Sequence, residues 1–299
     1  MVSNIDAVDR VIRNIKMYID TVPMKERNIV VAYSGGKDST LLMHAVIRAI
    51  QSKAIRVKRV YVLYNDTLGE IPSIHRWAVI SAKVAEAKLR ELGVEASFIV
   101  TKPSIIDTYY WRTIFRGYPA PNFKFRWCID LLKILPTKRE LRKLSKKHGR
   151  IILLTGLRGD ESSARSKSLK LRRVGCSLSF GGPNCLGNYI LKTDLENTVK
   201  LAPMADIVER EVWDTLMKVR PPWDGGMDYR FLLINYLMLS GNGEGPQECK
   251  VRFGCWFCTV SSKHCGLKAS VEASRIIRRL MPEYKDYVPS PEQLELLVK

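Results

Sequence analysis

The sequence predicts an α/β protein: a doubly wound, mostly parallel sheet with a small cysteine-bearing helical element at its C-terminal end. Three observations lead there. Apolar, β-rich runs alternate with helical patterns through the first two-thirds of the 299 residues. A glycine-rich turn falls directly between the first such run and its helix, and four of the seven cysteines crowd into residues 249–265. Alternation of strand and helix is the pattern of a parallel sheet covered on both faces.

Taken in order, residues 1–27 read as an N-terminal helix ahead of the sheet. Asn28–Tyr33 (NIVVAY) reads as a buried strand and Ser39–Ser52 as the helix after it. Val57–Tyr64 is a second strand, Glu70–Leu92 a long helix and Ala96–Thr101 a third strand. Helix around Cys128–Lys147 precedes a fourth strand, Arg150–Thr155. Residues 162–188, rich in Ser, Gly, Lys and Arg with little periodicity, read as a loop. Ile207–Val219 carries apolar residues at helical spacing and an acidic first turn, and Tyr229–Leu239 reads as a second helix. SGNGEGP then opens the cysteine-rich element, residues 241–299, which two short helices close. Residues 28–240 thus form the main domain.

Composition narrows the function. Hydrophobic content of 46% with 26% charged residues suits a folded protein with a substantial core. No run approaches the roughly 18 apolar residues that cross a membrane, and MVSNIDAVDR lacks the basic-then-apolar layout of a signal peptide. The expectation is a cytoplasmic protein with no membrane partner. Seven cysteines without a secretory signal do not read as a disulfide framework, so their crowding points to metal or sulfur chemistry. Forty-nine Lys and Arg stand against 30 acids, a formal charge of +19. Charge-rich thermophile surfaces balance Lys and Arg with Glu, whereas this imbalance favours a polyanion, with nucleic acid the expected partner.

The strongest motif is Ser34-Gly35-Gly36-Lys37-Asp38-Ser39, between the first strand and its helix. Two glycines allow a tight turn and close approach to an anion, and the helix N-terminus offers unsatisfied N–H groups. Lys37 adds charge, and the hydroxyls of Ser34 and Ser39 can bond phosphate oxygens. Asp38 reads as a holder for a magnesium ion bridging the phosphates. The spacing is not Walker A, which disfavours a simple γ-phosphate-cleaving loop. Ligands of such sheets sit beyond the carboxyl ends of the strands. Asp66 and Thr67 end the second strand, and Gly156-Leu157-Arg158-Gly159-Asp160-Glu161-Ser162 ends the fourth, so both would face the nucleotide. Arg158 and Arg165 would neutralise pyrophosphate, and Asp66 would meet metal or ribose.

The cysteines form Cys249-x5-Cys255-x2-Cys258-x6-Cys265, with Cys128 far upstream in Arg126-Trp127-Cys128. Thiolates at CxxC spacing hold zinc or an iron–sulfur cluster. Cys176 and Cys185 match no motif. Between Lys102 and Arg150 there are 13 Lys or Arg against Asp107, Asp130 and Glu140, interleaved with Tyr109, Tyr110, Trp111, Phe115 and Tyr118. Charge for phosphates with aromatic faces for bases outlines a nucleic-acid surface; the plainer reading places the aromatics in the core.

SGGKDS resembles the signature of PP-loop ATP pyrophosphatases, which cleave ATP between the α and β phosphates. With Asp66-Thr67, RWC, the G-x-R-x-x-E-S element at Gly156–Ser162, Ala202-Pro203-Met204-Ala205-Asp206 leading to Val212-Trp213, and RFGCWFCTV, the chain resembles the phosphoadenylylsulfate-reductase-like superfamily, and within it the DndC family of DNA phosphorothioation. The resemblance runs over about residues 28–260. It implies that Ser34–Ser39, Asp66, Gly156, Arg158, Glu161 and Arg165 bind ATP with magnesium, with Lys37, Asp38 and Arg158 carrying the chemistry. It also implies an oxygen-sensitive 4Fe-4S cluster on Cys128, Cys249, Cys255 and Cys258, with Cys265 the competitor for the fourth place. Implied partners are DNA in preference to RNA, a cysteine desulfurase as sulfur donor and other phosphorothioation proteins. Sulfonucleotide reduction and tRNA thiolation are the alternative activities on the same loop.

Overall fold

The structure is a computed structural model that describes residues 6–122, 124–161, 163–173, 189–223, 226–240, 255, 265–282 and 290–295. The chain divides into two compact units, each built from separate stretches. The first takes Met1–Tyr64, Ala82–Ile99 and Glu140–Met227; the second takes Asn65–Ser81, Val100–Arg139 and Asp228–Lys299.

The first unit is built on a six-stranded sheet of order β3-β2-β1-β4-β6-β5. Its strands are β1 (Asn28–Tyr33), β2 (Arg59–Asn65), β3 (Glu95–Thr101), β4 (Ile151–Thr155), β5 (Ile190–Leu191) and β6 (Thr198–Leu201). β1 runs parallel to β2 and to β4, β4 runs parallel to β6, and the short β5 pairs antiparallel with β6. The expected mostly parallel α/β sheet is therefore present. β1 lies centrally because NIVVAY is apolar on both faces, as a strand covered on both sides must be.

Alternation along each strand sorts the core. Val30 and Ala32 share a face with Tyr61, Leu63, Ile151 and Leu153, and that face packs on Leu141 and Leu144 of α5 (Leu135–His148). Helix α1 (Ala7–Ile19) buries Val8, Val11, Ile15 and Ile19 at helical spacing, while its buried Asn14 donates to the carbonyl of Pro203 at 2.9 Å. Helix α2 (Lys37–Gln51) is buried on most sides, consistent with STLLMHAVIRA being apolar nearly all round. Burial pushes the imidazole of His44, within α2, down to about 4, with the nearby Arg48 adding to the effect.

Residues 163–172, expected as loop, form helix α6 (Ser163–Arg172). Among the described side chains there, Leu169 alone is deeply buried while Leu171 is 79% exposed. Helix α7 spans Glu209–Leu216.

In the second unit, helix α3 (Pro72–Glu91) contributes Trp77, which stacks on Phe231 of α8 (Arg230–Ser240) at 5.0 Å; Ser73 donates to Asn235 at 2.8 Å. A short helix α4 (Trp127–Ile129) continues through a π-helical turn, Asp130–Ile134, toward α5. Two helices, α9 (Cys265–Leu280) and α10 (Pro291–Glu295), follow the cysteine-rich stretch. The first of these is long, not short, because SVEASRIIRRL places Val271, Ser274 and Ile277 on one buried face. Among the described residues no helix is long and apolar enough to cross a membrane.

Candidate functional site

In the first unit, Ser34–Ser39 turns from the carboxyl end of β1 into the N-terminus of α2. Gly35 takes φ +74°, a left-handed conformation that costs glycine nothing. The loop is braced from within. The N–H of Ser34 donates to Ser39 Oγ at 3.1 Å, and that hydroxyl donates to the carbonyl of Gly36 at 3.0 Å. Ser34 Oγ lies 3.1 Å from Ser39 Oγ and 3.4 Å from the N–H of Gly36. Buried Ser39 thus shapes the loop, while exposed Ser34 faces outward.

Gly156, at the end of β4, presses against this loop. A Cβ there would come within 3.1 Å of the Asp38 carbonyl carbon and the Ser39 nitrogen, so no larger residue fits unshifted. Two residues on, Arg158 is only 1% exposed, and its Nε donates to Asp38 Oδ1 at 2.7 Å. Its Nη1 lies 3.4 Å from Asp160 Oδ2, the acceptor that also takes the N–H of Glu209 at 2.9 Å. Lys37 Nζ sits 3.6 Å from Asp38 Oδ2 and 3.2 Å from Glu209 Oε1.

Two cations therefore meet three carboxylates. An anion at this loop would meet first the backbone N–H groups and the dipole of α2, with Lys37 beside it and paired to Glu209. Arg158, expected on pyrophosphate, and Asp38, expected on magnesium, pair with each other. Both oxygens of Asp38 face cations, Oδ1 toward Arg158 and Oδ2 toward Lys37. Asp160 and Glu209 are members of the site not singled out from sequence. Asp160 stands inside the strand-end element, and Glu209 opens the acidic first turn of α7, which was the available signal. Glu161 and Arg165 have side chains outside the described residues.

The second unit holds the described thiols and Asp66. Asp66 Oδ1 accepts the N–H of Leu68 at 2.9 Å and Oδ2 lies 3.3 Å from Lys102 Nζ. Thr67 donates through Oγ1 and N–H to the two carboxylate oxygens of Glu70, at 2.7 and 2.9 Å. Cys255 forms an antiparallel bridge with Glu70 and sets its Sγ 3.1 Å from Thr67 Oγ1. Since the threonine proton is committed to Glu70, the thiol is the donor here. Asp66, Leu68, Gly69, Glu70, Pro72, His75 and Arg76 line a pocket of about 340 Å³.

Cys128 and Cys255 are half-buried thiols, not disulfides. Cys128 stands near Tyr109, whose phenol is raised by burial and then by Tyr110 and Cys128. Soft, part-buried thiols suit iron–sulfur ligation. Cys249 and Cys258 lie outside the described residues, as do Cys176, Cys185 and the side chain of Cys265. Among the described residues no group of three or more His, Cys, Asp or Glu is placed to hold a metal ion.

The aromatic residues divide. Tyr109 stacks on buried Trp127 at 6.0 Å, Tyr118 meets the same ring edge-on at 5.5 Å, and Trp127 Nε1 donates to the carbonyl of Pro119 at 3.0 Å. Trp111 stacks on Phe115 at 4.8 Å. Of Tyr109, Tyr110, Trp111, Phe115 and Tyr118, Tyr110 at 42% and Phe115 at 69% exposure stand out.

A parallel sheet whose first strand delivers SGGKDS to a helix N-terminus defines an enzyme of the PP-loop type. The chain belongs to the phosphoadenosine phosphosulfate reductase domain family, whose model matches residues 28–260. No curated protein matches the sequence. Among solved structures it is similar to the U34-tRNA thiolase NcsA from Methanococcus maripaludis with its 4Fe-4S cluster. The TM-score is 0.41 and the identity 14%, over 97% of this chain and 79% of that one.

Proposed function

We propose that the protein adenylates a non-bridging oxygen of the DNA backbone so that sulfur can replace it. The phosphate oxygen attacks the α-phosphorus of ATP, the bond to the β-phosphate breaks, and pyrophosphate leaves. Sulfur at the sulfide oxidation level then attacks the DNA phosphorus, and AMP departs with the former DNA oxygen. The observation carrying this reading is the loop Ser34–Ser39, seated between β1 and α2 with Gly156 against it and Arg158 locking Asp38. Its backbone donors align and neutralise the leaving pyrophosphate, and Lys37 follows the charge. The excess of 49 basic over 30 acidic residues supports a polyanionic substrate. Cys128, Cys249, Cys255 and Cys258 would hold a 4Fe-4S cluster, which when bound supplies a carrier for sulfur; a cysteine desulfurase would supply sulfane sulfur, and a thiol reductant the two electrons that bring it to sulfide.

Sulfonucleotide reduction is the second reading, favoured by the family the chain belongs to. An anaerobic assay separates the two. ATP is supplied with duplex DNA, with tRNA or alone, and AMP and pyrophosphate are measured beside sulfite release from a sulfonucleotide. DNA-dependent pyrophosphate release is expected. Sulfite release without ATP turnover, or pyrophosphate release stimulated by tRNA only, would overturn the proposal.

A further inference from the structure

The second unit carries a surface that the sulfur chemistry does not use. Two short turns, Ile105–Asp107 and Trp111–Phe115, pack against one another. Buried Asp107 ties them together. Ser104 Oγ donates to its Oδ2 at 2.6 Å, Arg112 Nη2 donates to its Oδ1 at 2.6 Å, and Arg139 Nη2 lies 3.6 Å from Oδ2. Arg112 also donates to the Tyr118 hydroxyl at 3.2 Å and lies over that ring. Backbone bonds from Arg116 to Trp111 and from Tyr118 to Arg112 close the second turn.

This braced pair of turns presents large apolar side chains to water: Ile105 at 77%, Ile106 at 53%, Ile114 at 69% and Phe115 at 69% exposure. One such residue is ordinary; four on two packed turns form a patch of the kind that marks a contact. Its frame is cationic. Residues 102–139 hold eight Lys or Arg against Asp107 and Asp130, and of the eight, Arg112 and Arg139 are held by Asp107. A stacking platform for single strands needs open ring faces, yet Tyr109 and Tyr118 are engaged with Trp127, and Trp111 with Phe115, whose side chain still stays 69% exposed. What remains is an apolar tip among phosphate-seeking charges, the combination with which proteins pry apart a base step of a duplex.

We infer that Ile114 and Phe115, backed by Ile105 and Ile106, form a wedge that enters duplex DNA between adjacent base pairs and kinks it. The inference rests on the DNA reading proposed above and deepens it. Unstacking is easiest at deformable steps, so the wedge supplies site selection without hydrogen bonds to base edges.

The test uses the full chain, prepared anaerobically, and duplexes of mixed sequence in which 2-aminopurine occupies each position in turn. A several-fold fluorescence rise is expected at one or two neighbouring positions. In an Ile114→Ser/Phe115→Ser variant the rise should vanish, while low-salt Kd weakens by no more than about tenfold because phosphate contacts carry most of the binding. Both side chains are solvent-facing, and Ile114→Ser alone, checked by circular dichroism, serves as the milder variant. Salt-dependent duplex binding by the wild type with no rise at any position overturns the wedge and leaves the DNA reading standing. A rise that survives both substitutions overturns it too, as does loss of a co-purifying protein with an unchanged fluorescence signal. Failure of the wild type to bind duplex at any salt removes the DNA reading and the wedge together.

Discussion

Arg158 Nε donates to Asp38 Oδ1 at 2.7 Å, joining residues 120 positions apart in the chain. The arginine is 1% exposed and the side chain of Asp38 20% exposed, so this is a buried pair with a partly wetted carboxylate. Breaking such a pair from one side strands a charge, which costs more than the pair itself contributes. Arg158→Met should destabilise the fold by about 3 kcal/mol. Asp38→Asn should cost less, because the amide oxygen can still accept from Arg158 Nε and Asp160 stays beside the arginine, and the double change should recover part of the loss. Urea unfolding of the three variants measures this, and additive losses would show that the two side chains act independently.

Gly156 sets a second expectation. Its missing Cβ leaves room for the backbone of Asp38 and Ser39, with 3.1 Å to either if a methyl were added. Gly156→Ala must therefore push the phosphate loop. Overpacking of this kind costs about 1–3 kcal/mol, here spent largely on loop geometry. Pyrophosphate release should fall at least tenfold while circular dichroism stays unchanged, and an active Ala variant would mean that the loop tolerates displacement.

The fold was legible where the chain's chemistry is local. NIVVAY shows its strand because all six residues are buried or nearly so, and SGGKDS announces an anion loop by its neighbours alone. Helix α2 begins at Lys37, two residues before the apolar run that signals it, since polar residues of a first turn carry no periodicity. Strands β5 and β6 were missed. Ile190–Leu191 is only two residues long, and β6 contains Lys200, whose amine burial pushes down, with Arg172 adding to it. A lysine set opposite Leu153 and Leu191 is not a sequence signal for a strand. The pairing of Arg158 with Asp38 was equally hidden, because spacing along a chain does not reveal which strand ends meet. The second unit, assembled from three separated stretches, was invisible for the same reason.

His44 gives a pH dependence. Burial lowers its pKa from 6.5 to about 4, so the folded state holds it neutral while the unfolded chain protonates it near 6.5. A depressed folded value means stability that is fully present above pH 6.5 and is lost as pH falls toward 4. The shift corresponds to about 3 kcal/mol at most. The stability difference between wild type and His44→Gln should therefore shrink across that window, read from urea midpoints at pH 7, 6, 5 and 4.5. A constant difference would mean that His44 titrates in the folded protein as it does in the unfolded chain.

The cysteines should report their ligand directly. Anaerobic protein is expected to be brown, with iron and sulfide near four each per chain. Ala at Cys128, Cys249, Cys255 or Cys258 should sharply lower iron, while Cys265→Ala should not. Thr67→Val, which removes the hydroxyl 3.1 Å from Cys255 Sγ, should shift the visible spectrum without emptying the site. Stoichiometric zinc with no iron would defeat this assignment, and iron loss confined to the Cys265 variant would change the fourth ligand.

Glu209 provides the sharpest test of how the loop takes an anion. Its Oε1 lies 3.2 Å from Lys37 Nζ, yet its side chain is 54% exposed while that of Lys37 is 11% exposed. An incoming phosphate must compete with this carboxylate for the lysine. An exposed ion pair is worth about 0.2–1 kcal/mol, so the competition is winnable and its removal should be visible. Glu209→Gln should tighten binding of a non-hydrolysable ATP analogue by up to about fivefold, with thermal stability nearly unchanged. Lys37→Met should weaken the same binding, since the loop then loses its lysine cation. Calorimetric titration of both variants decides between two roles. Tighter binding in Glu209→Gln marks the carboxylate as a competitor for Lys37, whereas weaker binding would make it the residue that holds the lysine in position.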